Sequence, residues 1–232
     1  MNRKTLSFII AAALFMTGGL SFADAQHQAD HAKDGSHAET HAKPVGGIYP
    51  LTVDPLGDPL ADIEKPIILV HNDRELRFAT EANAQAFQDE LDKYLSQLDQ
   101  SLIEQQRPLY PMDKCIVSDQ PLGDMGDAVD YLYGNRLVRF CCKMCKGRFE
   151  RDPDKYLAGI DAAMIEAQKA DYPLNTCVVS GERLEGDADE PVDYVIGDRL
   201  VRLCCKDCIT DFEANPAKYL AKLENKDNEN HP

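Results

Sequence analysis

The chain repeats itself, and this limits its fold more than any other feature. Tyr-Pro occurs at Tyr49-Pro50, Tyr110-Pro111 and Tyr172-Pro173. Phe87, Phe149 and Phe212 keep the same interval, and each precedes a Tyr-Leu pair by seven residues: Tyr94-Leu95, Tyr156-Leu157 and Tyr219-Leu220. A period of 61–63 residues, held at three sets of landmarks, identifies tandem modules. A unit of about sixty residues is marginal alone and needs a staple or a neighbour to complete it. The strongest echo is RLVRFCCKMC at 136–145, which returns as RLVRLCCKDC at 199–208.

The local patterns are the same in each copy. Val129 to Tyr133 is rich in strand formers, Gly134-Asn135 supplies a tight turn, and Arg136 to Phe140 alternates back, which predicts a β-hairpin. Val192 to Leu203, turning at Gly197-Asp198, reads likewise. A helix is expected from the cysteine cluster through Phe149. Asp152-Pro153 then has the form of a helix N-cap and first position for a second helix, and Asn215-Pro216 repeats it. Module one lacks that proline, so Ala79 to Gln105 is expected to form one long helix.

Modules two and three carry four cysteines each: Cys115, Cys141, Cys142 and Cys145, then Cys177, Cys204, Cys205 and Cys208. Module one has none. Alignment on its Phe and Tyr landmarks places Ala79, Thr80 and Asn83 at the clustered cysteines and Val53 at the lone one, while counting from Tyr49 places Asp54 there. The first alignment predicts that apolar Val53, Leu56 and Ala79 pack where the sister modules hold a staple.

On a helix, Cys141 and Cys145 share a face, as do Cys142 and Cys145, and a turn bearing Cys115 can close over them. Cys177, Cys204 and Cys208 repeat the set. Free N–H groups at a helix start favour the thiolate, a soft ligand suited to zinc or Cu(I). Ser118 or Ser180 stands where a fourth sulfur would close a structural zinc site, leaving the fourth position to Cys142 or Cys205, water or a partner's ligand.

Cys115-x-Val117-Ser118, then Tyr133-Gly134-x-Arg136-Leu137-Val138-Arg139-Phe140-Cys141-Cys142-x-x-Cys145, Phe149, Asp152-Pro153 and Tyr156-Leu157 together resemble the TRASH/YHS group of small treble-clef domains. The resemblance covers residues 110–158 and 172–221, and more weakly 49–96. It implies a small α+β fold of three tandem treble-clef-like ββα modules joined by helices. It also implies heavy-metal trafficking, resistance or sensing, with metal-binding roles for Cys115, Cys141, Cys145, Cys177, Cys204 and Cys208. The chain departs from the group in a longer gap between first and second cysteine and in serine at the second knuckle position.

Two other uses of the cysteines stay open. An exported chain with an even cysteine count commonly forms disulfides, which would make the modules stapled interaction units. Cys142-Lys143-Met144-Cys145 and Cys205-Lys206-Asp207-Cys208 are also C-x-x-C pairs at expected helix starts, the pattern of a thiol–disulfide enzyme. The short hairpin modules lack the βαβ frame of thioredoxin-like enzymes, so the expectation is a non-enzymatic binder of zinc or copper.

Export is read from residues 1–25: Arg3 and Lys4, an apolar run from Leu6 to Leu14, and Ala23-Asp24-Ala25 before a cleavage point near Ala25. A periplasmic or secreted protein without a membrane span in its mature chain is expected. Residues 26–48 form a linker, expected to be disordered, holding His27, His31, His37 and His41, weaker metal candidates whose imidazoles suit Cu(II), Ni and Zn. The modules are placed at 49–109, 110–171 and 172–223, with a disordered tail at 224–232. A net charge of −15 argues against a nucleic-acid partner and leaves the metal ion, and a second metal-trafficking protein, as expected partners. Arg136, Arg139, Arg199 and Arg202 are expected on the outer face of half-buried strands.

Overall fold

A computed structural model describes residues 44–184 and 190–230. The signal sequence and the four linker histidines lie outside the described residues. The described chain is small α+β, with three antiparallel hairpins and six helices. Module one contains β1 (Ile67–His71), β2 (Arg74–Phe78), α1 (Glu81–Asp89) and α2 (Leu91–Gln106). Module two contains β3 (Val129–Tyr133), β4 (Arg136–Phe140), α3 (Lys143–Phe149) and α4 (Pro153–Lys169). Module three contains β5 (Val192–Ile196), β6 (Arg199–Leu203), α5 (Asp207–Ala214) and α6 (Pro216–Asn230). Among the described residues no helix is long and apolar enough to cross a membrane.

The hairpins are in register from Tyr133↔Arg136 to Val129↔Phe140, and from Ile196↔Arg199 to Val192↔Leu203. Each module has its own core, centred on the landmark phenylalanine. The following tyrosine packs on it, with ring centroids 6.2 Å apart for Phe87–Tyr94, 6.0 Å for Phe149–Tyr156 and 5.9 Å for Phe212–Tyr219. This contact corrects the expectation of one long helix in module one. Seven residues of continuous helix rise about 10 Å, too far for such a contact. The chain therefore breaks at Glu90 (φ −124°, ψ 47°), without the proline used in modules two and three.

The strand arginines are not free outer-face charges. Arg136 is buried and paired with Asp161 of α4, as Arg74 is with Asp99 of α2 at 2.5 Å. Arg139 and Arg202 bind Asp130 and Asp193 across their hairpins at 2.7 and 2.9 Å.

Repeated polar contacts join the modules. The side chain of Gln106, at the end of α2, donates to the Asn135 carbonyl and accepts from the Leu137 N–H, both at 2.8 Å. Gln168 makes the same pair of bonds to Asp198 and Leu200. Module three returns to module one: Arg77 donates to the carbonyls of Ala214 and Glu213, Asn215 donates to the Ile63 carbonyl, and Ala217 enters module one's core.

Residues 44–48, expected to belong to a disordered linker, form a strap touching all three modules. The Val45 N–H donates to the Asp73 carbonyl at 2.9 Å, and Ile48 joins module three's core. Gly46 meets the Gly134 turn backbone to backbone: a Cβ on Gly46 would overlap the Tyr133 carbonyl, and one on Gly134 the Val45 carbonyl. Both glycines also have positive φ, which other residues rarely adopt. At the other end, α6 runs to Asn230, through most of the 224–232 segment expected to be a disordered tail.

Candidate metal centres

In each cysteine-bearing module a short bridged turn lies against the strand-to-helix junction. The turns are pinned by the bridges Lys114↔Pro121 and Thr176↔Arg183. The Cys115 N–H donates to the Gln120 carbonyl, and the Cys177 N–H to that of Glu182. This brings Cys115 to Cys141 and Cys145, and Cys177 to Cys204 and Cys208. Within each group all three sulfurs lie within 4.8 Å of one another, so each triad could hold a metal ion. The Sγ–Sγ separations are 3.7 Å for Cys141–Cys145 and 3.6 Å for Cys204–Cys208. These exceed the roughly 2 Å of a disulfide, and the cysteines are free thiols.

The four-residue spacing works, though not through a shared helix face. Cys141 precedes α3 altogether, and Cys142 is its N-cap residue in an extended conformation (φ −160°, ψ 165°). A bend at the junction folds Cys141 back over Cys145. Ser118 Oγ lies 3.2 Å from Cys141 Sγ, and Ser180 Oγ 3.3 Å from Cys204 Sγ, so the serines touch the triads where a fourth sulfur was sought.

The first cysteine of each triad is prepared as an anion. Burial pushes the Cys115 thiol up, but the Ser118 hydroxyl and the N–H groups of Cys141, Val117 and Ser118 outweigh it and bring it down to about 7. Cys177 is likewise brought to about 7, against burial, by donors from Ser180, Cys204 and Val179. Cys145 is pushed up to about 12 by burial, which its neighbouring sulfurs reinforce, and Cys208 is raised by the same causes. At neutral pH each metal-free site thus pairs a partly ionised sulfur with a protonated one.

Metal binding must expel the Cys145 proton, and below about pH 7 the Cys115 proton as well. Protons compete with the metal, so affinity falls as pH falls, by at least about tenfold per unit from pH 8 to 6. Chelator competition at pH 6, 7 and 8 measures this slope, and a flat profile would contradict the assignment.

Module one corrects one sequence alignment. Its bridge, Val53↔Pro59, encloses a turn one residue shorter than those of its sisters, and Val53 corresponds to Lys114 and Thr176. Asp54 therefore stands at the position of Cys115 and Cys177, as counting from Tyr49 implied. The missing residue lies between Asp54 and Leu60, which shifted the alignment made from the downstream landmarks. Val53 is 39% exposed and Asp54 only 2%. Leu56 and Ala79 pack against module one's core as expected, but Val53 does not, and a carboxylate takes the place of the lone sulfur. Asp54 Oδ1 accepts from the N–H groups of Leu56 (2.9 Å) and Asp58 (3.0 Å), and Oδ2 accepts from Ala79 N–H (3.2 Å) and the Asn83 amide (2.7 Å). Leu56 and Ala79 correspond to Val117 and Cys141, whose N–H groups donate to Cys115. The same backbone pocket holds a carboxylate in module one and a sulfur in module two.

The fold also gives Cys142 a place. Thr80, its counterpart, caps α1 by accepting from the Asn83 N–H at 3.1 Å. Cys142 makes no such side-chain cap: the Cys145 N–H donates to its carbonyl at 3.2 Å, the nearby N–H groups of Cys145 and Met144 lower the pKa of its thiol, and its Sγ lies 3.8 Å from Cys145 Sγ. Cys205 lies 3.8 Å from Cys204 and 3.7 Å from Cys208. Neither belongs to its module's close triad.

No family model matches the chain, and neither a curated protein nor a solved structure matches it. The functional reading therefore rests on the two triads and their internal control in module one.

Proposed function

We propose that this protein is an exported, non-enzymatic carrier or buffer of soft metal ions, of the kind the resemblance to TRASH/YHS domains implies. Duplicate three-sulfur clusters, each with one sulfur set in a pocket of N–H donors, are the observation that supports this reading most directly. Three sulfurs and an adjoining hydroxyl do not make the closed four-sulfur shell of a structural zinc site, and this suits loading and release. Cys142 and Cys205, each partly exposed, touch the triads, and a departing ion could pass through them to an incoming thiolate. The linker histidines would raise local capture, and a second metal-trafficking protein would receive the cargo.

Native mass spectrometry of the reduced protein titrated with Zn²⁺ tests the reading. Two ions per chain are expected, with all thiols retained. A product lighter by four or eight hydrogens, with no ion bound, would refute it in favour of disulfides. One observation favours a thiol–disulfide role: the Cys142–Cys145 and Cys205–Cys208 pairs are close, and the N-terminal thiol of each is lowered by N–H donors. Efficient turnover of a dithiol substrate would establish that role instead.

A further inference from the structure

Each cysteine-bearing module holds a fourth sulfur outside its triad. Cys142 lies 3.8 Å from Cys145, and Cys205 lies 3.7 Å from Cys208, so each extra thiol touches a member of the triad. The Cys145 N–H donates to the Cys142 carbonyl at 3.2 Å, and this closed turn keeps the pair together. In module one the counterparts are Thr80 and Asn83, and the Thr80 hydroxyl caps its helix. Cys142 caps nothing with its side chain. Module two thus forgoes a helix cap at this position and gains a sulfur beside a metal-binding one.

Access to solvent singles out the same residue. In module two Cys115, Cys141 and Cys145 are buried, whereas Cys142 is half-exposed and is followed by exposed Lys143 and Met144. A small disulfide arriving from solvent therefore meets Cys142 first. In module three Cys204 and Cys205 are both half-exposed, which gives two points of entry. A group attached to Cys142 can be displaced by Cys145 but not by Cys141. Adjacent residues have Cα atoms about 3.8 Å apart, closer than the roughly 4.4–6.8 Å that a disulfide spans.

We propose that Cys142 with Cys145, and Cys205 with Cys208, are redox switches by which a small-molecule disulfide releases the metal. This rests on the metal-binding reading above and supplies its release step. The Cys142 thiol attacks the oxidant RS–SR, forming Cys142–S–SR and freeing RSH. The Cys145 sulfur then leaves the ion, attacks Cys142 Sγ and expels RS⁻, which takes a proton from water. The protein loses two electrons, and the S–S bond of the oxidant becomes two thiols. Cys115 and Cys141 alone remain, and they hold the ion at least about a hundredfold more weakly. A bound ion opposes the reaction by occupying Cys145, and a dithiol reductant restores the site.

The test uses the reduced full chain without oxygen. Cys177→Ser leaves module two's site, and Cys115→Ser leaves module three's. Each variant is loaded with Zn²⁺, and excess bis(2-hydroxyethyl) disulfide is added with a chromophoric zinc chelator. Release from module two is expected to keep pace with a disulfide mapped to Cys142–Cys145 by alkylation and peptide mass spectrometry. Cys142→Thr, which installs module one's cap residue, should leave Zn²⁺ affinity unchanged and slow release at least about tenfold. Cys205→Thr should slow release from module three by a smaller factor, because Cys204 gives the oxidant its second entry.

Unslowed release from Cys142→Thr, a first disulfide at Cys141, a disulfide formed with the ion retained, or a larger effect at Cys205 than at Cys142 would overturn the switch and leave metal binding intact. Loss of Zn²⁺ affinity in Cys142→Thr would overturn it too, by making Cys142 a ligand. Reduced protein that binds no Zn²⁺ at either site would overturn both readings.

Discussion

A Cys177→Ser chain is expected to bind one Zn²⁺ where the unaltered chain binds two, and Cys115→Ser/Cys177→Ser none. Each serine puts a hydroxyl, a poor zinc ligand at neutral pH, into the pocket of N–H donors that favours a thiolate. A thiolate zinc site supplies about 10–16 kcal/mol at neutral pH, so losing one of three sulfurs removes roughly a third of it, a weakening of at least a hundredfold. Native mass spectrometry counts the ions, and circular dichroism of the metal-free proteins shows whether the serines have disturbed the fold. Retention of two ions by the double variant would refute the ligand assignment. Metal removal carries a related expectation: amide exchange should quicken in modules two and three and stay unchanged in module one, whose pocket is filled by its own carboxylate.

Asp54→Ala is expected to be the most damaging single change in module one. It leaves the N–H groups of Leu56, Asp58 and Ala79 and the Asn83 amide without the carboxylate that gathers them. Each buried donor left unsatisfied costs about 1–3 kcal/mol, and water reaching the pocket recovers part of this, so a loss on the order of 4 kcal/mol is expected in urea unfolding. Asp54→Asn, which keeps the shape but not the charge, should lose less. A neutral outcome for Asp54→Ala would show that the carboxylate does not organise the turn.

Much of this arrangement was legible in the sequence because repetition supplied its own alignment. The hairpins followed from strand formers around Gly134-Asn135 and Gly197-Asp198, and the triads from cysteines placed just after a strand and one helical turn later. Asp54 was reached by only one of two alignments, because a residue missing from a turn shifts everything read from beyond it. The break at Glu90 left no local signal. It follows from packing Tyr94 on Phe87, a tertiary demand that prevails over helix periodicity. Gln106 and Gln168 were overlooked, although their 62-residue separation repeats the module period. Single polar residues at a helix end look like surface until the next hairpin is seen to lie against them. Arg136 looked like an outer strand residue for a similar reason, since Asp161, the carboxylate that allows its burial, lies on a helix 25 residues away.

The strap at residues 44–48 also sets an order of events. Its anchors lie at Asp73, at the Gly134 turn and in the core around Ile196, at increasing distances along the chain. Contacts so far apart in sequence cost the most chain entropy to form, whereas each hairpin and its helices close locally. The hairpins are therefore expected to form first, the modules to assemble on one another, and the strap to dock last. By the same logic it detaches first, and amide exchange at Val45 should report the earliest opening of the assembled protein.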